Sequence, residues 1–161
     1  MDSYRIRSLF NDLSPNYDLL NRIFSLGMDL SWRRQLVTAV IRQNPTKILD
    51  LACGSGDVTE MLRQALPQAQ VVGLDFSRPL LTQAKACGFP KLAEADALQL
   101  PFADESFDAV TIAFGLRNFS NREAGLDEIA RILKKGAVFG LLEFSRPPMP
   151  WKLFWTLYLN H

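Results

Sequence analysis

Ile48-Leu49-Asp50-Leu51-Ala52-Cys53-Gly54-Ser55-Gly56-Asp57, followed by Val71-Val72-Gly73-Leu74-Asp75, is the stretch that decides the fold. An apolar run enters a glycine turn, a helical stretch follows, and a second apolar run ends in a carboxylate. That is half of a nucleotide-binding βαβ unit. It sets Asp75, an acid able to hold a ribose, beside a backbone loop that a ligand can approach closely.

Working outward, the same alternation continues. Strands are expected at 47–52, 70–75, 91–94, 107–114 and 138–144, and helices at 57–66, 78–87 and 121–133. Pro67 stops the first of these helices. Ser77 stands at the N-cap of the second, with Pro79 in its first turn and Gly88 past its end. Lys134-Lys135-Gly136 reads as a turn. The strands are apolar throughout, not alternately, so both faces are covered and the sheet is parallel. The class is α/β, a Rossmann-like doubly wound sheet.

Upstream, apolar residues recur at helical spacing over 3–12, 17–24 and 32–42, with Gly27 as an interruption. In the third helix Leu36, Val37, Val40 and Ile41 form the buried stripe, and Arg33 and Arg34 are expected on the outer face. Downstream, Pro147-Pro148-Met149-Pro150 leads into an apolar, aromatic segment at 151–159. The expected organisation is a helical cap at 1–45, a nucleotide-binding core at 46–146 and an apolar segment at 147–161. A sheet ending on a central strand leaves hydrogen-bonding groups exposed. The expectation is therefore an incomplete chain, or one completed by another subunit.

Bulk properties narrow the function. The 161 residues are 48% hydrophobic and 22% charged, the profile of an ordinary globular domain. A net charge of +1 gives no electrostatic case for nucleic acid. Two cysteines, Cys53 and Cys87, and one histidine, His161, exclude a conventional Cys/His zinc site. Polar first residues and sparse cysteine point to a cytoplasmic protein. No apolar run reaches the roughly 20 residues of a membrane span.

The nucleoside follows from the loop. A dinucleotide fingerprint would place a third glycine at position 59, which is Thr59. The pattern is Asp50, Ala52, Gly54, Gly56. S-adenosylmethionine has no phosphate, and its amino-acid end needs carbonyl acceptors and N–H donors, which such a backbone offers. Asp75 suits the ribose hydroxyls, Phe76 the adenine face and Asp96 the adenine amino group. Each has a plainer reading: Asp75 as a helix cap, Asp96 as a solvated loop acid, Gly54 and Gly56 as a structural turn. Together they line one crevice, which favours S-adenosylmethionine over a phosphate or NAD site.

Further motifs resemble a family. Tyr17-Asp18-Leu19-Leu20-Asn21, Ser25-Leu26-Gly27 and Trp32-Arg33 are similar to the N-terminal signature of the ubiquinone/menaquinone C-methyltransferases. Phe114-Gly115-Leu116-Arg117-Asn118 resembles that family's loop after the fourth strand. Arg131-Ile132-Leu133-Lys134-Lys135-Gly136-Ala137, running to Leu142-Glu143-Phe144-Ser145-Arg146-Pro147, resembles its second signature. Three positions depart from the pattern: Asp29 where a histidine is usual, Lys135-Gly136-Ala137 for Pro-Gly-Gly, and Ala113 for a frequent serine.

The resemblance implies a class I S-adenosylmethionine-dependent methyltransferase fold, a Rossmann-like doubly wound parallel sheet with N-terminal helices, here lacking the last two strands of that family. It also implies cofactor contacts at Ser55, Asp75, Asp96, Ala97 and Ala113. The implied reaction is methyl transfer to a ring carbon of a prenylated quinol, a lipophilic small molecule, at or near a membrane surface. Arg117 would then stabilise the quinolate oxygen, Asn118 orient it, and Asp18 or Tyr17 relay the proton. The plainer readings pair Arg117 with Asp108 or Glu143 and leave Tyr17 to packing. No metal is expected, and a homo-oligomer is left open. A soluble acceptor, or a non-catalytic binding subunit, is the competing reading.

Overall fold

The computed structural model describes residues 27–89 and 91–144. Tyr17, Asp18, the helices expected at 3–12 and 17–24, and the segment 151–159 lie outside the described residues. Five strands form one sheet: β1 (Lys47–Leu51), β2 (Gln70–Asp75), β3 (Leu92–Glu94), β4 (Phe107–Ala113) and β5 (Leu133–Leu142). Their order is β3-β2-β1-β4-β5, and every neighbouring pair is parallel. Four helices accompany them: α1 (Met28–Ile41), α2 (Asp57–Ala65), α3 (Arg78–Ala86) and α4 (Arg122–Ile132).

β1 is central and its residues sort by strand alternation. Ile48 faces one side, where it packs with Leu36, Val37 and Val40 of α1 and Val58 and Leu62 of α2. Leu49 and Leu51 face the other, with Leu74, Phe107, Ile129 and Ile132. All three β1 side chains are essentially inaccessible to solvent, as continuous apolarity requires. Asp50 therefore returns to the α1/α2 face. That orientation governs its chemistry.

Two elements differ from the sequence expectation. α1 begins at Met28, not near residue 32, because Gly27 supplies a left-handed turn (φ +78°) and nothing in Met28-Asp29-Leu30-Ser31 breaks a helix. Asp29 sits in its first turn, where the helix dipole favours an acid. The second difference is the expected turn at Lys134-Lys135-Gly136, which is absorbed into β5. Phe107 pairs with Leu133 and Ala109 with Val138, so two steps along β4 answer five along β5. The surplus forms a bulge, with Gly136 at φ +76° and both lysines exposed.

Candidate functional site at the carboxyl edge of the sheet

Parallel strands deliver their C-terminal ends to one edge, where such sheets bind ligands. The strand order brings the end of β3, Asp75 at the tip of β2, the loop after β1 and Ala113 at the tip of β4 along that edge. Asp96 follows β3 by two residues, is exposed, and accepts the Leu98 N–H at 2.9 Å. Ala97 packs partly against the core.

The loop after β1 has an unusual backbone. Ala52, Gly54 and Gly56 have φ of +57°, +57° and +99°. A left-handed alanine is strained, and it is held by neighbours: the Cys53 N–H donates to the Leu74 carbonyl at 3.0 Å and the Gly56 N–H to the Cys53 carbonyl at 3.0 Å. Gly56 is the N-cap of α2 and no side chain caps that end. A Cβ there would lie 2.1 Å from the Phe89 ring, so glycine is required by both torsion and space. The loop after β4 mirrors this. Phe114 has φ +59°, and a Cβ on Gly115 would stand 2.6 Å from the Ala52 Cβ. The two loops are thus in close contact.

Asp75 is buried, 4% exposed, and its carboxylate joins two elements. Oδ2 accepts the Gly54 N–H at 2.9 Å, and Oδ1 accepts the Ser77 N–H at 2.8 Å. The plainer reading of Asp75, as a cap near the start of α3, is therefore part of its structure, since Ser77 precedes Arg78. Burial raises its pKa from 3.8, while the Ser77, Gly54 and Phe76 N–H groups pull the other way.

Asp50 lies beneath the loop. The Thr59 hydroxyl donates to Oδ2 at 2.6 Å and the Thr111 hydroxyl to Oδ1 at 2.9 Å. Burial pushes its carboxyl from 3.8 to about 6, against those two hydrogen bonds and the charge of Arg33. It braces β1, α2 and β4 under the glycine turn. Cys53 is buried and free, and burial raises its thiol well above the ordinary value. It is packing, as a lone thiol among small residues suggests.

Arg117 begins no pairing with Asp108. Its guanidinium bonds Glu143 Oε1, and its backbone N–H donates to Glu143 Oε2 at 3.2 Å. The guanidinium lies 5.9 Å and 5.4 Å from the ring centres of Phe114 and Phe144. Asn118 follows in a single 3₁₀ turn, Leu116–Asn118. Trp32 of α1 meets Phe114 and Phe144 edge-on, at 6.5 Å and 6.1 Å between ring centres. The site therefore has an aromatic floor beside a fixed cation.

Arg33 corrects the sequence reading. It is not on the outer face: it is 7% exposed, next to Asp29 and Asp57, with its guanidinium 5.4 Å from the Phe114 ring centre. The spacing held the signal. Residue 33 precedes Leu36, Val37 and Val40 by three, four and seven, so it shares their face. Charge suggested an outward direction; periodicity decided otherwise. Arg34 is exposed, as expected.

A polar hollow of about 610 Å³ at the opposite edge, lined partly by Arg131, Lys134 and Lys135, brings none of these groups together.

The chain matches the model of the ubiE/COQ5 methyltransferase family over residues 1–160. It is 49% identical to a demethylmenaquinone methyltransferase of Thermus thermophilus, covering 87% of this chain and 66% of that protein. It is 42% identical to the ubiquinone/menaquinone biosynthesis C-methyltransferase UbiE of Geobacter sulfurreducens, over 96% of this chain and 62% of that protein. The chain thus spans roughly two thirds of the length of these curated relatives. Among solved structures, a putative methyltransferase from Bacillus halodurans C-125 superposes with a TM-score of 0.62 at 29% identity, covering 83% of this chain and 58% of that one. With a five-stranded parallel sheet, the paired glycine loops and this match along nearly its whole length, the chain belongs to the ubiE/COQ5 methyltransferase family.

Proposed function

We propose that this chain carries the cofactor site and ring-methylating machinery of an S-adenosylmethionine-dependent C-methyltransferase whose acceptor is a prenylated quinol of the demethylmenaquinol or demethylphylloquinol type. The observation that carries the reading is Asp75: a buried carboxylate at the tip of β2, bonded to the glycine loop on one side and the start of α3 on the other. That is the position from which an acid accepts from ribose hydroxyls. The names of the relatives support the acceptor class.

When bound, S-adenosylmethionine supplies an electrophilic sulfonium methyl group. The residues of the chain do the rest. Asp75 holds the ribose, Phe76 packs on the adenine, and Asp96 accepts from its amino group. Ser55, Ala97 and Ala113 complete the wall, and Asp50, Ala52, Gly54 and Gly56 hold the backbone that faces the amino-acid end. Arg117 stabilises the developing quinolate oxygen, and a guanidinium already fixed by Glu143 does this with little reorganisation. Asn118 orients the ring, and Asp18 or Tyr17 relays the hydroxyl proton, directly or through water. Orientation in a site that excludes water accounts for much of the acceleration. The reading puts the enzyme in the cytoplasm, beside the membrane that holds its acceptor. No helix among the described residues is long and apolar enough to cross a membrane.

The test pairs a binding and a turnover assay. S-adenosylhomocysteine should bind saturably, and Asp75→Ala should weaken it about 100-fold through two lost charge-assisted hydrogen bonds. Unchanged affinity would remove this cofactor site. Methyl transfer to demethylated quinols should exceed transfer to soluble phenols and should depend on Arg117; equal turnover of soluble phenols would overturn the acceptor class.

A further inference from the structure

The tips of β4 and β5 carry an aromatic pair with an ion pair beside it. Ala113 pairs with Leu142 in the ladder, and the Phe114 N–H donates to the Leu142 carbonyl at 2.8 Å. Phe114 and Phe144 follow these strand ends and stack, with ring centres 4.7 Å apart and planes at 25°. Trp32 meets Phe144 edge-on. Phe144 is nevertheless 51% exposed, which leaves a flat apolar surface for another ring. The Arg117 guanidinium stands 5.4 Å from the centre of that ring and is bonded to Glu143 Oε1.

A planar guanidinium fork in such a place is by itself a receptor for carboxylates. Glu143 changes that. Its Oε1 accepts from the Arg117 guanidinium and from the Phe144 N–H at 3.1 Å, and its Oε2 accepts the Arg117 backbone N–H at 3.2 Å. Both side chains are partly exposed, so a ligand on the Phe144 surface meets both charges together. An aromatic acid would bring its carboxylate up to Glu143, and like charges in close juxtaposition repel. A ring hydroxyl fits better. A carboxylate has about four acceptor positions, so these bonds leave Oε2 one to receive a hydroxyl hydrogen. The hydroxyl oxygen accepts from the guanidinium in return, whereas a ligand carboxylate accepts only.

We infer that Glu143 is a specificity-determining residue of the acceptor site: by matching the charge of Arg117 beside the exposed Phe144 ring, it admits an uncharged aromatic ring bearing a hydroxyl and rejects an aromatic acid. The inference rests on the acceptor reading above, in which Arg117 meets the ring oxygen, and adds a selectivity to it: the ring enters neutral. Selectivity of this kind comes from a repulsive element built against the wrong ligand, not from tighter contacts to the right one.

Calorimetric titration of the full chain, saturated with S-adenosylhomocysteine, tests this with three ring probes: 1-naphthol, 4-hydroxy-2-naphthoate and the methyl ester of that acid. All three share the ring and the hydroxyl, and only the acid is charged. Wild type should prefer 1-naphthol over the acid by at least about 10-fold and bind the ester within about threefold of 1-naphthol. Glu143→Gln keeps an acceptor and removes the charge. It should bind the acid about 10-fold more tightly than wild type does and 1-naphthol within about threefold. Adding Arg117→Met to Glu143→Gln should erase that gain. The affinity for S-adenosylhomocysteine checks that the variants fold, and the ester needs no variant at all. Rejection of the ester along with the acid would make bulk the criterion and overturn the inference. So would a wild type that binds the acid as tightly as 1-naphthol, or a folded Glu143→Gln with the wild-type preference; in these cases the acceptor reading survives. A wild type that binds S-adenosylhomocysteine and none of the three rings would overturn both.

Discussion

The two edges of the sheet carry the same residue types in opposite electrostatic states. At the amino edge, Asp108 Oδ2 accepts the Thr46 and Lys47 N–H groups at 2.9 Å each and the Thr46 hydroxyl at 2.6 Å, while Oδ1 meets Lys134 at 2.6 Å. These bonds, Lys134 foremost, hold its carboxyl well below the usual range. Arg131 ties Glu128, Asp104 and the carbonyls of Leu100 and Phe102, and lowers Glu128 to about 2. At the carboxyl edge, Asp50 and Asp75 are raised by burial, and Arg33 lacks a full set of acceptors. Half-exposed, fully bonded charges hold strand ends together. Desolvated charges, bonded to hydroxyls and loop amides, mark the edge proposed as the ligand site, since perturbed charges cluster where chemistry is done.

If the carboxyl edge is built for close ligand approach, its glycines should be the least replaceable residues. Gly56→Ala forces a Cβ onto a left-handed backbone and to 2.1 Å from a buried Phe89 ring. Torsional strain and overpacking together should destabilise the fold by about 3–4 kcal/mol. Chemical denaturation would measure it, and S-adenosylhomocysteine binding should vanish. A loss below about 1 kcal/mol would mean that the loop is not constrained as described.

The next largest contrast is in pH. The Asp50 carboxyl rises from 3.8 to about 6 on folding, so it stabilises the folded state below about pH 4, and that contribution is lost as pH climbs through about 6. The full span is worth up to about 3 kcal/mol at about 1.36 kcal/mol per unit. Glu128 and Asp108 act with the opposite sign: their contribution is present above about pH 4 and lost as pH falls through their lowered pKa values. Between pH 4 and 7 the stability of wild type should therefore decline relative to Asp50→Asn, measured by denaturant unfolding at stepped pH. Parallel curves would show that Asp50 titrates as an ordinary carboxyl.

The sheet is more legible in the sequence than the site, for a physical reason. β2 is expected at 70–75 and is found there, because the apolar run Val71-Val72-Gly73-Leu74 between polar Gln70 and Asp75 has one good solution. Asn121 was expected to open a helix and does so with its side chain, which accepts the Ala124 N–H at 3.2 Å. Direction was harder. Charge points Arg33 outward in the sequence, and tertiary packing overrules it: α1 turns residue 33 inward, where it is buried beside Phe114. The bulge at Lys134-Lys135-Gly136 escaped notice because a glycine after two lysines signals a turn, and a bulge uses the same torsion.

At the amino edge the expected effects are smaller and confined to stability. Asp108→Ala removes the acceptor of three N–H or O–H donors and the partner of Lys134. It should cost about 2 kcal/mol and leave S-adenosylhomocysteine affinity within about twofold. A parallel loss of affinity would mean that the two edges are coupled through β1 and β4, and the division of labour drawn between them would fail.

The smallest effect belongs to Lys135. It is exposed, lies in the β5 bulge beside Gly136, and is three residues from the Val138 pairing that resumes the ladder. Its replacement by alanine removes no packing and lowers the net charge from +1 to zero. Stability should change by less than about 0.5 kcal/mol, read from the midpoint of a denaturant curve. Gly136→Val in the same bulge should do more, since φ +76° is unfavourable for a β-branched residue. The contrast between these neighbours separates backbone from side chain: a bulge that tolerates any side chain at 135 yet resists one at 136 is held by its torsion alone. If Lys135→Ala proves the costlier change, the lysine has a role in the hollow beside Arg131, and the amino edge is more than a scaffold.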